Sequence, residues 1–294
     1  AEINGEPADD TYFHPGWTNY RKRLQYQTYA VTLREGANRV ALTLANGWYK
    51  GKLGFMPQPN NYGDTTAALA ALCITYTDGH EEWIGTDESW LCTTGAVQFS
   101  EIYDGETQDF TAAPAAPQPV KLFEYGFDTI IGQENEPVRC LQKLSADKAF
   151  TTPKGEKVYD FGQNLTGWVE VEIYGEPGQK LTLRHAEALD ENGNFYTENL
   201  SWAKATDTYI LSGGRQILHP HFTWHGFRYL CVEGLQYGQN VQFTACHLST
   251  DLQQTGIFTC SDKRVNRLQQ NIRWSQRDNF LDIPTDCPQR SERL

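Results

Sequence analysis

The sequence predicts a mainly β protein made of two β-sandwich domains, with a helical domain beginning near its C-terminus. Three observations lead to this prediction. Short apolar runs separated by turn signals fill most of the chain, a proline-rich stretch at 111–119 divides them into two blocks, and helical spacing of apolar residues starts only after Ser261. Many short strands without a long amphipathic helix are typical of a sandwich.

The first block, expected over residues 1–115, contains several short strands. Arg39–Leu44 is one of them, and Leu72–Tyr76 and Glu82–Ile84 lie on either side of Asp78-Gly79. An Asp-Gly pair suits a tight hairpin turn because both residues tolerate a positive φ. These two strands are therefore predicted to form a β-hairpin.

A linker and a second β block, expected over residues 120–250, follow. Thr111–Pro119 contains three prolines and cannot sustain a helix or a central strand, so we interpret it as the linker. In Trp168–Ile173 apolar residues alternate with polar ones, as in a strand with one wet face. The chain then turns at 175–178 and returns through Leu181–Leu183.

The hydrophobic period changes in the last block, expected over residues 255–294. The residues that recur there at helical spacing are Val265, Leu268 and Ile272. Ser261 is the predicted N-cap, and the helix is expected to end before Ile283-Pro284. Such a helix needs packing to persist, so we expect its apolar side to pack against later helices of the parent protein.

The charge balance excludes some function classes. Lys and Arg number 25 and Asp and Glu number 37, which gives a net charge of −12. A chain this acidic is repelled by phosphate backbones, so no nucleic-acid partner is expected. No apolar run approaches the roughly 20 residues that span a bilayer, so no membrane partner is expected either.

The seven cysteines are widely spaced and odd in number. This pattern argues against a disulfide framework and against a zinc site. Buried reduced thiols in a cytoplasmic bacterial protein are the expectation, although the sequence does not begin with Met and secretion stays open.

Three histidines, His219, His221 and His225, fall at even spacing, so that one strand would place them all on one face. Three imidazoles can bind zinc. We favour ordinary half-exposed strand histidines, and no metal or other cofactor is expected.

Two further features have plain structural interpretations. Trp17, Trp48 and Trp83 could form a platform for sugar rings, but core packing is the prediction for each of them. Ser100–Glu106 gathers three carboxylates in seven residues. A calcium loop is conceivable there, and a solvated loop at a domain edge is the favoured interpretation.

The most informative stretch is the C-terminal tail from Pro284 to Leu294. Two carboxylates, Asp286 and Glu292, bracket Arg290 in a proline-punctuated loop after the helix. Glycoside hydrolysis needs a carboxylic acid that donates to the leaving oxygen, beside groups that hold the sugar hydroxyls. By themselves, however, such short charge patterns are more often solvated loop residues.

The tail Asp-Cys-Pro-Gln-Arg-Ser-Glu-Arg-Leu resembles the start of the active-site motif of the bacterial α-L-rhamnosidases, glycoside hydrolase family 78. Earlier stretches resemble the same family in its own order. They are Pro15–Tyr20, Asn46–Tyr49 and Ser100–Glu106 for its N-terminal sandwich, and Tyr159–Asn164 with Gly167-Trp168 and Phe222–Tyr229 for its concanavalin-like (jelly-roll) sandwich. The resemblance implies that the last block is the first helix of an (α/α)6 barrel.

The resemblance also implies roles for three tail residues. Glu292 matches the general acid, while Asp286 and Arg290 match residues that hold the rhamnose hydroxyls. The family reaction is inverting, and its base is expected beyond Leu294, so the 294 residues alone are expected to be inactive. Ser291 stands where the family commonly has an acidic residue, whose loss would remove a charge that raises the pKa of the acid.

The expected function is therefore release of terminal α-L-rhamnose from glycosides or oligosaccharides, without a cofactor. Two alternatives stay open. The sandwiches could bind carbohydrate without cleaving it, or they could only brace a catalytic barrel. A homodimer also stays open as a partner state.

Overall fold

The computed structural model describes residues 1–54 and 58–291. The first part of the chain forms short strands, one four-residue helix and one 3-10 turn. In chain order these are β1 (Glu2–Ile3), β2 (Glu6–Pro7), β3 (Thr11–Tyr12), β4 (Leu24–Tyr26), β5 (Val40–Ala41), α1 (Gly47–Lys50), β6 (Ala71–Thr75), β7 (Glu81–Gly85), β8 (Leu91–Cys92), β9 (Val97–Glu101), β10 (Gly105–Asp109), β11 (Gln118–Pro119), the 3-10 turn (Phe127–Thr129) and β12 (Ile130–Gly132).

Small pairings join many of these strands. β1 pairs with β2 and β5, β4 pairs with β12 in parallel, β6 pairs with β7, and β8 pairs with β11. The β6–β7 hairpin turns at Gly79, whose φ is +88°, which confirms the predicted Asp-Gly hairpin. The predicted linker is not wholly without structure, because its last two residues are β11.

Longer strands dominate the second part of the chain. They and the short elements between them are β13 (Val138–Ser145), β14 (Lys148–Thr151), β15 (Lys157–Gly175), β16 (Lys180–Ala186), β17 (Ala188–Leu189), β18 (Phe195–Tyr196), a 3-10 turn (Glu198–Leu200), β19 (Thr206–Ile210), β20 (Gly214–Leu218), β21 (His225–Glu233) and β22 (Val241–Thr250).

One large sheet contains most of these strands, in the order β3-β13-β22-β15-β21-β16-β19-β10-β9, with β14 and β20 also paired to β15. Its pairings are antiparallel except for β10 with β19. Strands from the first part of the chain, β3, β9 and β10, thus complete both edges of a sheet built by the second part. The mainly β prediction is confirmed.

The main core lies on one side of this sheet. Val169, Val171 and Ile173 on β15 are fully buried and alternate with the partly exposed Glu170 and Glu172, as predicted from the alternating sequence. They pack with residues of the neighbouring strands, which include Leu181, Leu183, Phe227, Leu230 and Phe243. Burial of this apolar area stabilises the sheet by about 25 cal/mol per Å².

A second core joins the first part of the chain to the sheet. Trp48 and Trp168 are buried in it with Trp224, and Trp17 packs at its margin. The prediction of core packing is thereby confirmed for Trp17 and Trp48. It is wrong for Trp83, which is 68% exposed. All five residues of β7 are exposed, because β7 pairs only with β6 among the described residues and no second layer covers it.

The helix α2 (Lys263–Asp278) follows the sheet, and a short hairpin of β23 (Phe280–Leu281) and β24 (Ile283–Pro284) ends it where predicted. Asp262 is its N-cap, with its side chain accepting from the backbone N–H of Arg264 at 2.8 Å. The prediction of Ser261 as N-cap is therefore wrong by one residue, because the carboxylate of Asp262 reaches the free N–H group.

The two ends of α2 differ in their contacts. Its apolar stripe is open, with Val265 40% exposed, Leu268 56% and Ile272 53%. Its last turn is docked on the sheet, where Asp278 accepts from the backbone N–H of Thr166 at 3.1 Å. None of the helices in residues 1–54 and 58–291 is long and apolar enough to cross a membrane. All seven cysteines carry free thiols, and Cys73, Cys92 and Cys260 among them are exposed.

This contrast generates a prediction for the isolated 1–294 chain. Amide hydrogens in the first turns of α2 should exchange quickly, since a helix of this length is marginal without packing. Those of 278–291 should be protected together with the sheet, because Asp278, Phe280 and Asp282 are hydrogen-bonded to its strands. Hydrogen exchange read by mass spectrometry checks this. Uniform exchange across 263–291 would contradict the docking of the last turn.

Candidate active site

The tail loop that follows β24 lies directly on the start of β21. A Cβ atom built on Gly226 would come within 2.9 Å of the backbone nitrogen of Gln289, so the loop contacts the strand at backbone distance. Ser291 and Cys287 are buried in this contact. The absent side chain of Gly226 therefore determines where the loop can sit.

Two of the predicted sugar-binding residues come together in this loop. Arg290 Nη2 lies 3.7 Å from Asp286 Oδ2, and both side chains are partly exposed. The buried thiol of Cys287 lies between them, with Arg290 Nε donating to its sulfur at 2.9 Å and the sulfur 3.5 Å from Asp286 Oδ2. The loop thus presents a guanidinium and a carboxylate side by side.

The third predicted residue, Glu292, lies outside the described residues. Its neighbour Ser291 is 1% exposed. An acidic side chain at that position would need a hydrogen-bonding partner in the same buried place, since unpaired buried charges are costly. The small hydroxyl residue is compatible with the burial seen here.

A second pair of carboxylates, Glu187 and Asp278, was not identified from the sequence. Asn164 donates to Glu187 Oε1 at 2.6 Å, and burial raises the pKa of Glu187, with the charge of Asp278 raising it further and that of Arg290 lowering it. Asp278 lies 3.2 Å from His247 Nε2. Glu187 is therefore a half-buried carboxylate within electrostatic reach of the loop arginine.

No local pattern could have identified Glu187. It follows β16 in Arg-His-Ala-Glu, a run without a recognisable spacing, and its partners come from residues more than twenty positions away. Only the sheet brings β15, β16 and the end of α2 to one place.

A buried polar cluster, His185, Asp207 and His225, lies beneath this region. His225 Nε2 is 3.1 Å from Asp207 Oδ2, His185 Nε2 is 4.0 Å from the same oxygen, and the two imidazole rings stack with centroids 4.1 Å apart. Ligand atoms of all three lie within 4.8 Å of one another, so two imidazoles and a carboxylate could hold a transition-metal ion. Asp207 also accepts from the backbone N–H of Glu106 at 3.0 Å.

The predicted set of three strand histidines is wrong. β21 begins only at His225, so His219 and His221 precede the strand and do not share its face. His225 is fully buried, whereas the side chain of His221 is half exposed and that of His219 stacks on Trp168 with ring centroids 5.1 Å apart. Burial lowers the pKa of His219.

The prediction of a solvated loop at 100–106 is also wrong. Glu101, Asp104 and Glu106 are all buried at the turn from β9 to β10. Asp104 pairs with Lys52 Nζ at 2.8 Å and Lys204 Nζ at 3.3 Å. Glu106 accepts from the backbone N–H groups of residues 221 and 222. These ion pairs and hydrogen bonds compensate for burying the carboxylates. Their donors are distant in the sequence, so the local sequence of 100–106 does not show them.

Three family models match consecutive parts of the chain. The alpha-L-rhamnosidase N-terminal domain matches residues 1–139, and the bacterial alpha-L-rhamnosidase concanavalin-like domain matches residues 150–249. The bacterial alpha-L-rhamnosidase 6 hairpin glycosidase domain matches residues 253–294. Together the three matches span nearly the whole chain in an unbroken order.

Individual relatives agree with these matches. The chain is 40% identical over 309 residues to an alpha-L-rhamnosidase of Streptomyces avermitilis, a match that covers 100% of the chain and 30% of the relative. The crystal structure of native alfa-L-rhamnosidase from Aspergillus terreus has a TM-score of 0.93 and 37% identity, covering 100% of this chain and 36% of that one. The Streptomyces avermitilis enzyme complexed with L-rhamnose has a TM-score of 0.89 and 38% identity, covering 99% and 30%. The chain spans about a third of the length of these relatives.

The contact of Gly226 with the loop generates a prediction. Gly226→Ala should displace residues 286–291 and destabilise the protein by about 1–3 kcal/mol, the usual cost of overpacking. Chemical denaturation measures the loss. Gly95→Ala is the control, because a Cβ there meets nothing within 4 Å. Equal stability of the two variants would show that the loop does not rest on Gly226.

The environment of Glu187 generates a second prediction. The pKa of Glu187 is raised in the folded protein, so its ionised form lowers the free energy of unfolding. This loss is absent below about pH 4.3, the usual pKa of Glu, because the side chain is then protonated in both the folded and the unfolded state. Glu187→Gln should therefore raise the melting temperature at pH 7 and leave it nearly unchanged at pH 4. Thermal unfolding at the two pH values checks this, with the exposed Glu191→Gln as control. A lower melting temperature at pH 7 for Glu187→Gln would contradict it.

Proposed function

Because the chain belongs to the bacterial α-L-rhamnosidase family, we propose that its full-length protein hydrolyses α-L-rhamnosides and releases terminal L-rhamnose. The single observation that carries the proposal is the tail loop. It presents Asp286 and Arg290 side by side on the sheet. Arg290 stands one residue before Ser291 and two before Glu292 in the sequence. Relatives of this chain bear the name of this activity.

In this proposal Glu292 is the general acid. It would donate its proton to the glycosidic oxygen as the bond to the rhamnose carbon breaks, while a second carboxylate removes a proton from the attacking water. An inverting reaction keeps these two carboxyl groups roughly 6.5–9.5 Å apart to leave room for the water. We place the second carboxylate in the six-hairpin domain beyond residue 294, since the match to that domain begins only at residue 253.

Asp286 and Arg290 are proposed to hold the sugar. Neighbouring rhamnose hydroxyls can donate to the carboxylate and accept from the guanidinium, and hydrogen bonds to charged groups are about twice as strong as neutral ones. Cys287 supports this arrangement, because its buried sulfur accepts from Arg290 Nε and limits the rotation of the guanidinium. Glu187 lies within electrostatic reach of the same guanidinium.

The role of Glu292 is tested with two substrates in the full-length enzyme. Glu292→Gln should remove most activity on rhamnosides with poor leaving groups and much less on activated aryl rhamnosides, since only the former need protonation, an effect of about 10²–10⁴-fold. Steady-state rates on an alkyl and a nitrophenyl α-L-rhamnoside measure the difference.

Asp286→Asn serves as the comparison variant, because lost sugar contacts should weaken turnover of both substrates alike. If Glu292→Gln also lowered both rates by the same factor, its assignment as the acid would be wrong. Absence of α-L-rhamnoside hydrolysis by the unmodified full-length protein would overturn the proposed function itself.

A further inference from the structure

The two charged side chains of the tail loop are close to each other but are not joined by a direct hydrogen bond. Arg290 Nη2 lies 3.7 Å from Asp286 Oδ2, and both side chains are partly exposed. A hydrogen bond from a guanidinium to a carboxylate is about 2.7–2.9 Å long, and such pairs are often bidentate. Because opposite charges attract, the longer separation needs a physical cause.

The backbone of the loop is anchored immediately before each of the two charged residues. The backbone N–H of Thr285 donates to the carbonyl oxygen of Asn279 at 2.7 Å. The backbone of Gln289 packs directly on Gly226. The distance between the charged groups therefore depends on what lies between their side chains, since the backbone positions are fixed by these contacts.

The group between the two side chains is the thiol of Cys287. Arg290 Nε donates to its sulfur at 2.9 Å, and its S–H donates to Asp286 Oδ2 at 3.5 Å. Burial raises the pKa of this thiol, so it keeps its proton at neutral pH. A protonated thiol has one hydrogen to donate and lone pairs that accept, which is what the two contacts require.

The burial of Cys287 makes its sulfur a fixed spacer. The residue is only 9% exposed, so its side chain cannot swing out of the loop into solvent. A direct ion pair between Asp286 and Arg290 would let each group satisfy the other. A sugar would then have to break that pair before binding, whereas groups that are already held apart avoid this loss of affinity.

We propose that Cys287 is a positioning residue of the sugar site, whose thiol keeps Arg290 and Asp286 apart so that both charged groups face the rhamnose hydroxyls. The proposal rests on the proposed rhamnosidase function and deepens it. A cysteine that only filled space would behave differently, because its loss would lower stability without changing the affinity for a sugar. Cys231 supplies the matched comparison, since it is 1% exposed and packs in a separate core cluster with Val158 and Ala186.

The test measures binding of L-rhamnose to the full-length protein by titration calorimetry. Cys287→Ala should raise the Kd about ten-fold, the effect of losing one hydrogen bond to a charged group. Cys287→Ser should stay within about three-fold of the unmodified protein, because a hydroxyl also donates and accepts. Cys231→Ala should leave the Kd unchanged although it also removes a buried sulfur. An unchanged Kd in Cys287→Ala would overturn the proposal, as would a ten-fold rise in Cys231→Ala.

A double-mutant cycle distinguishes a spacer from a purely structural residue. In the Asp286→Asn protein there is no carboxylate for Arg290 to pair with, so a spacer has nothing to keep apart. Adding Cys287→Ala to that protein should therefore change the Kd for L-rhamnose by less than about two-fold, which shows coupling between the two positions. A further ten-fold loss in the Asp286→Asn protein would mean that the two effects are independent, and the proposal would be wrong.

Calorimetry needs no turnover, so it separates this proposal from the proposed function. If L-rhamnose binds with the expected dependence on Cys287 but the unmodified protein cleaves no α-L-rhamnoside, the proposed function fails and the positioning role stands. If α-L-rhamnosides are cleaved and the Kd is the same in Cys287→Ala, the positioning role fails alone. If L-rhamnose does not bind and no rhamnoside is cleaved, both are wrong.

Discussion

Burial of two carboxylates, Glu106 and Asp207, is the constraint on which the rest of the structure depends. Both are almost fully inaccessible to solvent, and an unpaired charge in such a place costs several kcal/mol. Glu106 accepts from the backbone N–H groups of residues 221 and 222, and Asp207 accepts from the N–H of Glu106 itself. These bonds attach β10 to the sheet and hold the chain that enters β21. If either carboxylate lost these hydrogen bonds, its buried charge would be unpaired. The bonds therefore fix the position of β10 relative to β19 and to the start of β21.

The same constraint explains the one parallel pairing of the large sheet. β10 runs parallel to β19, and Gly105 at its start approaches so closely that a Cβ would lie 2.0 Å from the carbonyl oxygen of Thr206. Only glycine permits this approach, with its φ of +112°. Because β10 comes from the first part of the chain and β19 from the second, the two parts share one sheet. A surface built across their junction is therefore held by one continuous sheet.

The tail loop is connected to this junction by contacts through β21 and β15. His225 is held by Asp207, and the next residue, Gly226, receives the backbone of Gln289. On the other side, Asp278 accepts from Thr166, which is paired with Gly226 across the two strands. The loop that carries Asp286 and Arg290 thus rests on two neighbouring strands and on the end of α2. Sites held by strands and helices in this way are more precise than sites on free loops.

The sequence by itself determined the features that depend on local periodicity. The alternation in Trp168–Ile173, the Asp-Gly hairpin and the apolar stripe of α2 all appear as predicted, because each follows from side-chain spacing along a few residues. The tail motif also marked Asp286 and Arg290 as candidates, and their charged groups lie 3.7 Å apart in the structure.

Only the tertiary structure decided which polar residues are buried and which residues are their hydrogen-bond partners. Glu106 was predicted to be a solvated loop residue and His225 a half-exposed one, yet both are buried, because their partners lie 115 and 18 residues away along the chain. No local sequence pattern pointed to Glu187, whose hydrogen-bond partner is distant in the chain. No local pattern could show either that Trp83 would stay exposed, because that depends on whether another segment covers it. The physical reason is the same in each case. Burial of a polar or aromatic side chain depends on which distant segments supply hydrogen bonds or packing, and that information arises only when the strands assemble.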